Sequence, residues 1–474
     1  MSVRTTAKLV VLSATVVLAG TSQMSTTGAA SSRVRLGTPV KVSANSTGQS
    51  AAEPSIRAAR DGTLYIVAPT GLGGVRIEEN NDSGGDIIWR SDNGGRTWKF
   101  LGSYDDVAGG GDADIAPDHR GRLWGSGLTL VNTTATYSDD KGETFAVNPV
   151  GQQSALVDRQ WIETYRSKPF AFMTTGEIGT RATILSRLEL KAGNTPVPVD
   201  TITVSRPRDE YQWPGEIAVD ERNGLVYTSY NTIGQKRNRD DIVVTRNRLG
   251  LGGLKRSKVT TTKGDSFDSF VAVDIDRAGN VYAVWSERRH AKGRARQGRT
   301  NSYIAVSRNK GKSFSKPVRL NRKPMTTTFP WVVAGGSGRV AVGYYGTETR
   351  GPSPENVARK GKLPPRWKVY LAYSTNATKA TRRFTEITAV RKKIHEGNVC
   401  TSGTGCASGT RDLLDFFQID LDPCGRVITS YTDNSRDTVK RGGNRTDNKP
   451  ELIYFAKQKD GPRFYRKPLR PGVC

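Results

Sequence analysis

Glycosidic chemistry needs carboxylates that can trade a proton, arginines that can grip an acid group, and aromatic faces for sugar rings. This sequence carries all three beside short apolar runs. Glu53, Asp112, Asp114, Asp158, Arg159, Trp161, Trp213, Glu216, Asp268, Trp331, Arg411, Asp412 and Asp415 precede or open such runs, and Tyr230, Trp285, Tyr345 and Tyr431 close others. Guanidinium forks bind carboxylates in bidentate fashion. Paired carboxylates, or a tyrosine assisted by one, can break a glycosidic bond. Arg159 and Arg411 stand in compact motifs, VDRQW and GTRDLLDFF. They are expected to bind substrate, with Trp161 and Trp331 as stacking surfaces. Tyr345 and Tyr431 are the expected nucleophiles, with Glu216 and Asp112 as their partners. No cofactor and no metal are expected. His119, His290 and His395 lack zinc-ligand spacing, and Asp112-Ala113-Asp114 offers too few carboxylates to specify calcium. No Ser-His-Asp arrangement, phosphate loop or dinucleotide fingerprint is present.

One repeated unit would position these residues. A short apolar strand, a turn of the form Asp-x-x-Gly and a second apolar strand recur seven times. The copies are EPSIRAARDGTLYIVA from Glu53, DADIAPDHRGRLWGSG from Asp112, DRQWIETYRSKPFAFMTTG from Asp158 and GEIAVDERNGLVYTSYN from Gly215. SFVAVDIDRAGNVYAVWS from Ser269, WVVAGGSGRVAVGYYG from Trp331 and FFQIDLDPCGRVITSYTD from Phe416 complete the set. A third alternating strand follows each copy (IIWRS, TATYS, ATILS, DIVVTR, SYIAVS, VYLAYS, LIYFAK), and often a fourth. Period-two alternation is the mark of half-buried strands. The fold class is therefore all-β: a β-propeller with seven blades of four antiparallel strands, six blades being the alternative. RLGTPVKVS, residues 35–43, has no blade before it and could complete the last one.

The octapeptide SDNGGRTW, residues 91–98, lies between a third and a fourth strand. Its pattern S-x-[D/N]-x-G-x-[T/S]-[W/F] returns at 138–145 and 307–314. The residues concerned are Ser91, Asn93, Gly95, Trp98; Ser138, Asp140, Gly142, Phe145; and Ser307, Asn309, Gly311, Phe314. An Asp or Asn side chain can accept turn amides, and Gly can supply positive φ. The pattern reads as a structural hairpin turn. Degenerate forms are expected near Asn247, Asn376 and Asp460.

This spacing resembles the Asp-box of sialidases. With DRQW, FPWVVAG…GRV…YYGT and CTSGTGC…LLDFF, the chain resembles the bacterial secreted sialidase-like (BNR/Asp-box repeat) β-propeller superfamily over nearly all of its length after the leader. The resemblance implies that these turns face away from the active site. Function would then lie where first strands start and second strands end. The chain departs from exo-sialidases in lacking their Arg-Ile-Pro tripeptide: Pro54 is followed by Ser55-Ile56-Arg57, and Arg76-Ile77 by Glu78.

Residues 1–30 read as a signal peptide: Arg4 and Lys8, an apolar run Leu9–Gly20, then small residues with Gly28 and Ala30 placed for cleavage. The run is too short to cross a bilayer, and residues 31–474 read as one propeller domain, secreted and extracellular. Lys and Arg outnumber Asp and Glu by 72 to 45, a net charge of +27, which favours anionic partners. Cys400, Cys406, Cys424 and Cys474 are an even set, as expected for disulfides in an exported chain. Cys400–Cys406 would close the TSGTG loop, leaving Cys424–Cys474 to tie down the tail. RRHAKGRARQGR, 288–299, lacks the interleaved aromatics of a single-strand nucleic-acid binder, so no specific nucleic-acid partner is expected. The composite expectation is a monomeric glycoside hydrolase acting on glycans with acidic sugars, on a cell-surface polymer for example. The alternatives are a non-catalytic propeller that binds anionic polymers or a protein, and a uronate-directed lyase using His290 or His395.

Overall fold

In the computed structural model the described residues are Met1 and 33–474, except 44–50, 70–84, 106–109, 130, 155, 166–167, 208, 210–211, 233–238, 267–269, 292–293, 360, 402–405, 407–412, 437–450 and 471. The signal-peptide segment, Arg76, Asp268, Arg411 and Asp412 lie outside them.

Strands β1 (Arg35–Leu36) and β2 (Val40–Lys41) come first. β3 (Ser55–Ala58), β4 (Leu64–Pro69), β5 (Asp86–Ser91) and β6 (Lys99–Ser103) form one antiparallel sheet in that order. β7 (Ala113–Pro117), β8 (Leu123–Gly127), β9 (Ala135–Ser138) and β10 (Ala146–Asn148) form the next. β11 (Val157–Thr164), β12 (Phe170–Glu177), β13 (Ala182–Leu190) and β14 (Pro196–Thr203) form a third. β15 (Gln212–Pro214) and β16 (Ala218–Asp220) share the inner edge of a sheet with β17 (Leu225–Thr232), β18 (Asp241–Arg248) and β19 (Lys255–Thr261). Then come β20 (Ala272–Ile275), β21 (Val281–Ala291), β22 (Arg294–Ser307) and β23 (Val318–Arg319), followed by β24 (Thr326–Ala334), β25 (Val340–Thr347), β26 (Arg366–Ser374) and β27 (Thr385–Glu396). β28 (Ile419–Leu421), β29 (Val427–Asp433) and β30 (Leu452–Asp460) end the chain's strands. β1 and β2 both pair with β30, so residues from the start of the described chain complete the last sheet.

The architecture is an all-β propeller of four-stranded antiparallel units. Seven independent repeats predict seven separate sheets, but the described residues form six. One parallel bridge, Thr300 to Thr326, joins β22 to β24 and fuses two four-strand runs into one eight-stranded sheet.

First strands line the axis, and polar side chains tie one to the next. Asp114 Oδ2 accepts the Ile162 amide at 3.0 Å. Asp274 Oδ2 accepts Ala334 N at 2.6 Å, and Asp420 Oδ2 accepts Ala58 N at 2.8 Å. Gln418 Oε1 accepts Ile56 N at 3.2 Å, so the last inner strand closes onto the first. Between sheets the core is aromatic and aliphatic, with Trp89, Trp124, Trp285 and Trp367 fully buried.

The octapeptide and its two relatives share one geometry. Asn93 Oδ1 accepts Arg96 N and Thr97 N, both at 3.0 Å, and Ser91 Oγ accepts Gly95 N at 2.9 Å. Asp140 accepts Glu143 N and Thr144 N at 3.0 Å, and Asn309 accepts Ser313 N at 3.0 Å. Gly95, Gly142 and Gly311 have φ of 90°, 84° and 71°. Ser374, Asn376 and Arg383 repeat part of it. The Asp-x-x-Gly turns are equally regular. Asp118, Asp276 and Asp422 each accept amides two and four residues on. Lys141 of one octapeptide turn meets Asp61 beside the first strand-to-strand turn at 2.8 Å. Lys310 of another meets Asn223 at 3.2 Å. Both kinds of turn therefore share one face.

Candidate functional site

The axis carries two polar clusters separated by an aromatic plug. The first lies where inner strands begin. A bulge between Asp158 and Gln160 gives Arg159 a φ of 58° and turns its side chain to the axis. Glu53, at the same end, has φ 57°. Such backbone is costly for non-glycine residues, and surrounding structure must hold it. Arg159 Nη1 lies 3.0 Å from Glu53 Oε1 and 2.8 Å from Asp112 Oδ1. Its side chain is only 2% exposed. The guanidinium carbon sits 4.1 Å from the Trp161 ring, 4.0 Å from Phe416 and 5.0 Å from Phe270. Trp331 packs on Trp161 at 4.8 Å. Arg159 Nε and Nη2 have no hydrogen-bond acceptor. Rings over its face and two carboxylates at one nitrogen complete its surroundings.

Asp158 borders this cluster. Burial pushes its carboxyl up to about 6, Asp112 and Asp415 push the same way, and Arg159 pulls it back. An acid that titrates near 6 can hold a proton for a leaving group and survive its loss. The Asp415 amide donates to Glu53 Oε1 at 3.2 Å, which brings the last inner segment to the same place.

The second cluster lies at the other end, on the face of the Asp-x-x-Gly turns. Arg57, Glu163, Glu216, Asp274 and Asp420 line a cavity of about 590 Å³ there. Arg57 Nη1 donates to Gln418 Oε1 at 2.7 Å and Nη2 lies 3.6 Å from Asp114. Burial drives the carboxyls up, to about 7 at Glu163, about 8 at Asp274 and about 6 at Asp420; Glu216 stands well above the usual range. Arg57 and backbone amides pull against burial at Glu163 and Asp420, and the Ile275 and Ala334 amides do so at Asp274. A cavity of this size thus lies on the face from which the sequence directed attention away.

The expected site residues are partly brought together. Arg159, Asp112, Trp161 and Trp331 converge, with Glu53, Asp158 and Asp415. Arg411 lies outside the described residues. Glu216 belongs to the opposite end. Pro214-Gly215 interrupts the inner strand between β15 and β16, and Glu216 emerges into the far cavity. Trp161 and Trp331 are 1% and 2% exposed, packed around the Arg159 side chain and not open platforms for a sugar ring. Tyr345 is wholly buried; its hydroxyl accepts Thr432 N at 3.2 Å and its ring stacks on Phe417 at 4.2 Å. Burial raises the phenols of both Tyr345 and Tyr431, which keeps them neutral and poor nucleophiles. His395 is buried, with Nδ1 against Asn434 at 2.9 Å and Nε2 against the Asn398 carbonyl at 3.0 Å. Neither nitrogen is placed to take a substrate proton. The side chain of His290 is outside the described set. His119 pairs with Glu221 on the turn face. Among the described residues no three His, Cys, Asp or Glu side chains are grouped to hold a metal.

Arg57, Glu163, Asp274 and Asp420 were not singled out from sequence. A signal exists: Asp274-Ile-Asp276 and Asp420-Leu-Asp422 each put an acid two residues before the turn aspartate. The same inward phase carries both.

Cys400–Cys406 and Cys424–Cys474 are bonded as expected. No helix among the described residues is long and apolar enough to cross a membrane.

No protein-family model matches the chain, and no curated protein matches it. Solved structures do. A protein of unknown function from Dyadobacter fermentans aligns with TM-score 0.48 and 14% identity over 90% of this chain and 99% of its own. The Penicillium chrysogenum α-L-arabinanase aligns with TM-score 0.43 and 13% identity over 90% and 99%. The leech intramolecular trans-sialidase aligns with TM-score 0.40 and 10% identity over 89% and 70%.

Proposed function

We propose that the chain is an exported, monomeric propeller hydrolase of glycans, with Asp158 as proton donor and Asp415 as the facing carboxylate. The observation that carries this is the Asp158 carboxyl, pushed to about 6 beside Asp112 and Asp415 at the head of the inner strands. Glycoside hydrolysis needs such a pair: one acid protonated, one ionised. Arg159 holds Glu53 and Asp112 and so positions the cluster. The chain's +27 charge favours glycans that bear acidic sugars. The cluster itself holds more carboxylates than guanidinium groups, which favours a neutral ring at the point of cleavage. Counting the two halves of the eight-stranded sheet as separate blades supports a seven-bladed ring, in which residues 31–474 are one domain. Two disulfides favour an oxidising compartment.

A binding role for anionic polymers is the second reading. It is favoured by Arg159 being already neutralised, with no second arginine joining it among the described residues. The test is release of reducing ends from acidic and neutral polysaccharides by wild type and Asp158→Asn. Hydrolysis predicts a loss on the order of 100-fold in kcat with melting preserved. Full turnover in Asp158→Asn removes the assignment; polymer binding without turnover in wild type establishes the second reading.

A further inference from the structure

We propose that the axial cavity on the Asp-x-x-Gly face is a binding site for an organic oligoammonium ligand of the polyamine class, anchored by Glu216. It uses the end of the axis opposite Asp158, so it stands whether or not the glycan reading does.

Glu216 is 7% exposed, lines the cavity, and its Oε2 has no hydrogen-bond partner. A buried carboxylate oxygen without a partner costs free energy that a bound donor would return. Its neighbours are committed elsewhere. Asp114 accepts Ile162 N and the Gln418 amide. Asp274 accepts Ile275 N and Ala334 N, Asp420 accepts Ala58 N and Leu421 N, and Glu163 accepts Thr164 N. These acids hold the inner strands; Glu163 commits only Oε1, and Glu216 keeps a buried oxygen without a partner.

The chemistry of the walls selects a cation. Arg57 from β3, Asp114 from β7, Glu163 from β11 and Asp274 from β20 all act on Glu216. Eight Asp and Glu residues line the cavity against four arginines, Arg57, Arg60, Arg222 and Arg277, so carboxyls outnumber guanidinium groups two to one where the whole chain is basic. Arg57 is itself a cation held firmly in this environment. The carboxyls come from separate strands, and among the described residues no three are grouped to hold a metal. Spread charge suits several ammonium groups spaced along one chain. Ile217, Val333 and Leu469 between them offer apolar surface to the methylenes. At the mouth Arg222, 3.4 Å from Asp220, faces a ligand of the same sign, so two or more contacts inside are needed to overcome it.

Binding is linked to protons. Glu163 and Asp274, at about 7 and 8, and Glu216, above the usual range, hold protons near neutrality. An ammonium group favours their ionised forms, so each proton lost goes to the buffer and affinity rises with pH.

The experiment is calorimetric titration of the full chain with spermidine at about pH 8.5 and about pH 6, in buffers of differing ionisation enthalpy. One equivalent should bind, with proton release and an affinity on the order of tenfold lower at the acid pH. Glu216→Gln should weaken binding on the order of tenfold while the variant stays folded, with a cooperative melting transition no lower than that of wild type. If that variant does not fold, Glu163→Gln serves, with the same loss of binding expected. Absence of spermidine binding overturns the proposal. So do unchanged binding in the folded variant and one equivalent of calcium bound in preference to spermidine.

Discussion

Replacing Glu163 by Gln should make the protein more stable at alkaline pH and leave it unchanged in acid. Its carboxyl, half-buried at the end of β11, is pushed up to about 7 from an ordinary 4.5, by burial first, with Arg57 and the Thr164 amide opposing. The sign follows from which state holds the proton. The folded protein binds it more tightly than the unfolded chain. Stability from this group is complete below about 4.5 and is lost as the pH rises through about 7. The full loss is about 3 kcal/mol, an upper bound because water reaches the cavity and screens the charge. Gln has no proton to lose and keeps the oxygen that accepts Thr164 N at 2.8 Å. It also relieves Asp274 and Asp420, whose carboxyls the Glu163 charge raises, or is raised beside. Melting of wild type and variant should be compared by calorimetry from about pH 4 to about pH 9. The curves should coincide at the acid end and separate by about 3 °C or less at the alkaline end, the variant higher. A constant offset at every pH would refute the reasoning, since the effect would then be packing. So would a variant that falls with pH as steeply as wild type.

Arg159→Met should cost about 3–5 kcal/mol, because Glu53 and Asp112 remain buried without their cation; denaturant unfolding measures it, and a cost below about 1 kcal/mol would show that the ion triad is not desolvated. Asn93→Ala removes the acceptor of two turn amides and should lower stability by about 1–3 kcal/mol with any activity per folded molecule intact; normal stability with lost activity would make the turn functional. Reducing Cys424–Cys474, which closes 50 residues, should remove about 4 kcal/mol; an unchanged unfolding midpoint would show the tail held by packing alone.

The turns were legible because their bonds are local. Asn93 reaches amides three and four residues on, so spacing alone encodes the geometry. The fold class was legible for a related reason: alternation and turn repeat together. Arg159, Glu53 and Asp112 could each be picked from the sequence, but not their pairing, since the three come from distant parts of the chain. Tyr345 was expected at an open strand end. β25 is buried along its whole length, with Phe417 from the next inner segment stacked on the ring. The blade count was not legible: the described residues form six sheets, one of them eight-stranded through the Thr300 to Thr326 bridge, and no repeat in the sequence encodes that bridge.

Those particulars bear on what the axis can do. The Arg159 cation among Trp161, Trp331, Phe270 and Phe416 fills the middle of the ring with apolar rings and one neutralised charge. Charge at one end therefore acts on the other only weakly through that plug. The raised carboxyl of Asp158 answers to Asp112, Arg159 and Asp415, whereas that of Glu216 answers to Arg57, Asp274, Asp114 and Glu163; the two sets share no residue. A substitution at one end should leave the titration of the other unchanged, because sites with no common partner contribute additively. The Asp158→Asn and Glu216→Gln variants, combined, should show the sum of their separate effects on stability at every pH. A coupling above about 0.5 kcal/mol would mean that the plug transmits what its packing is arranged to block.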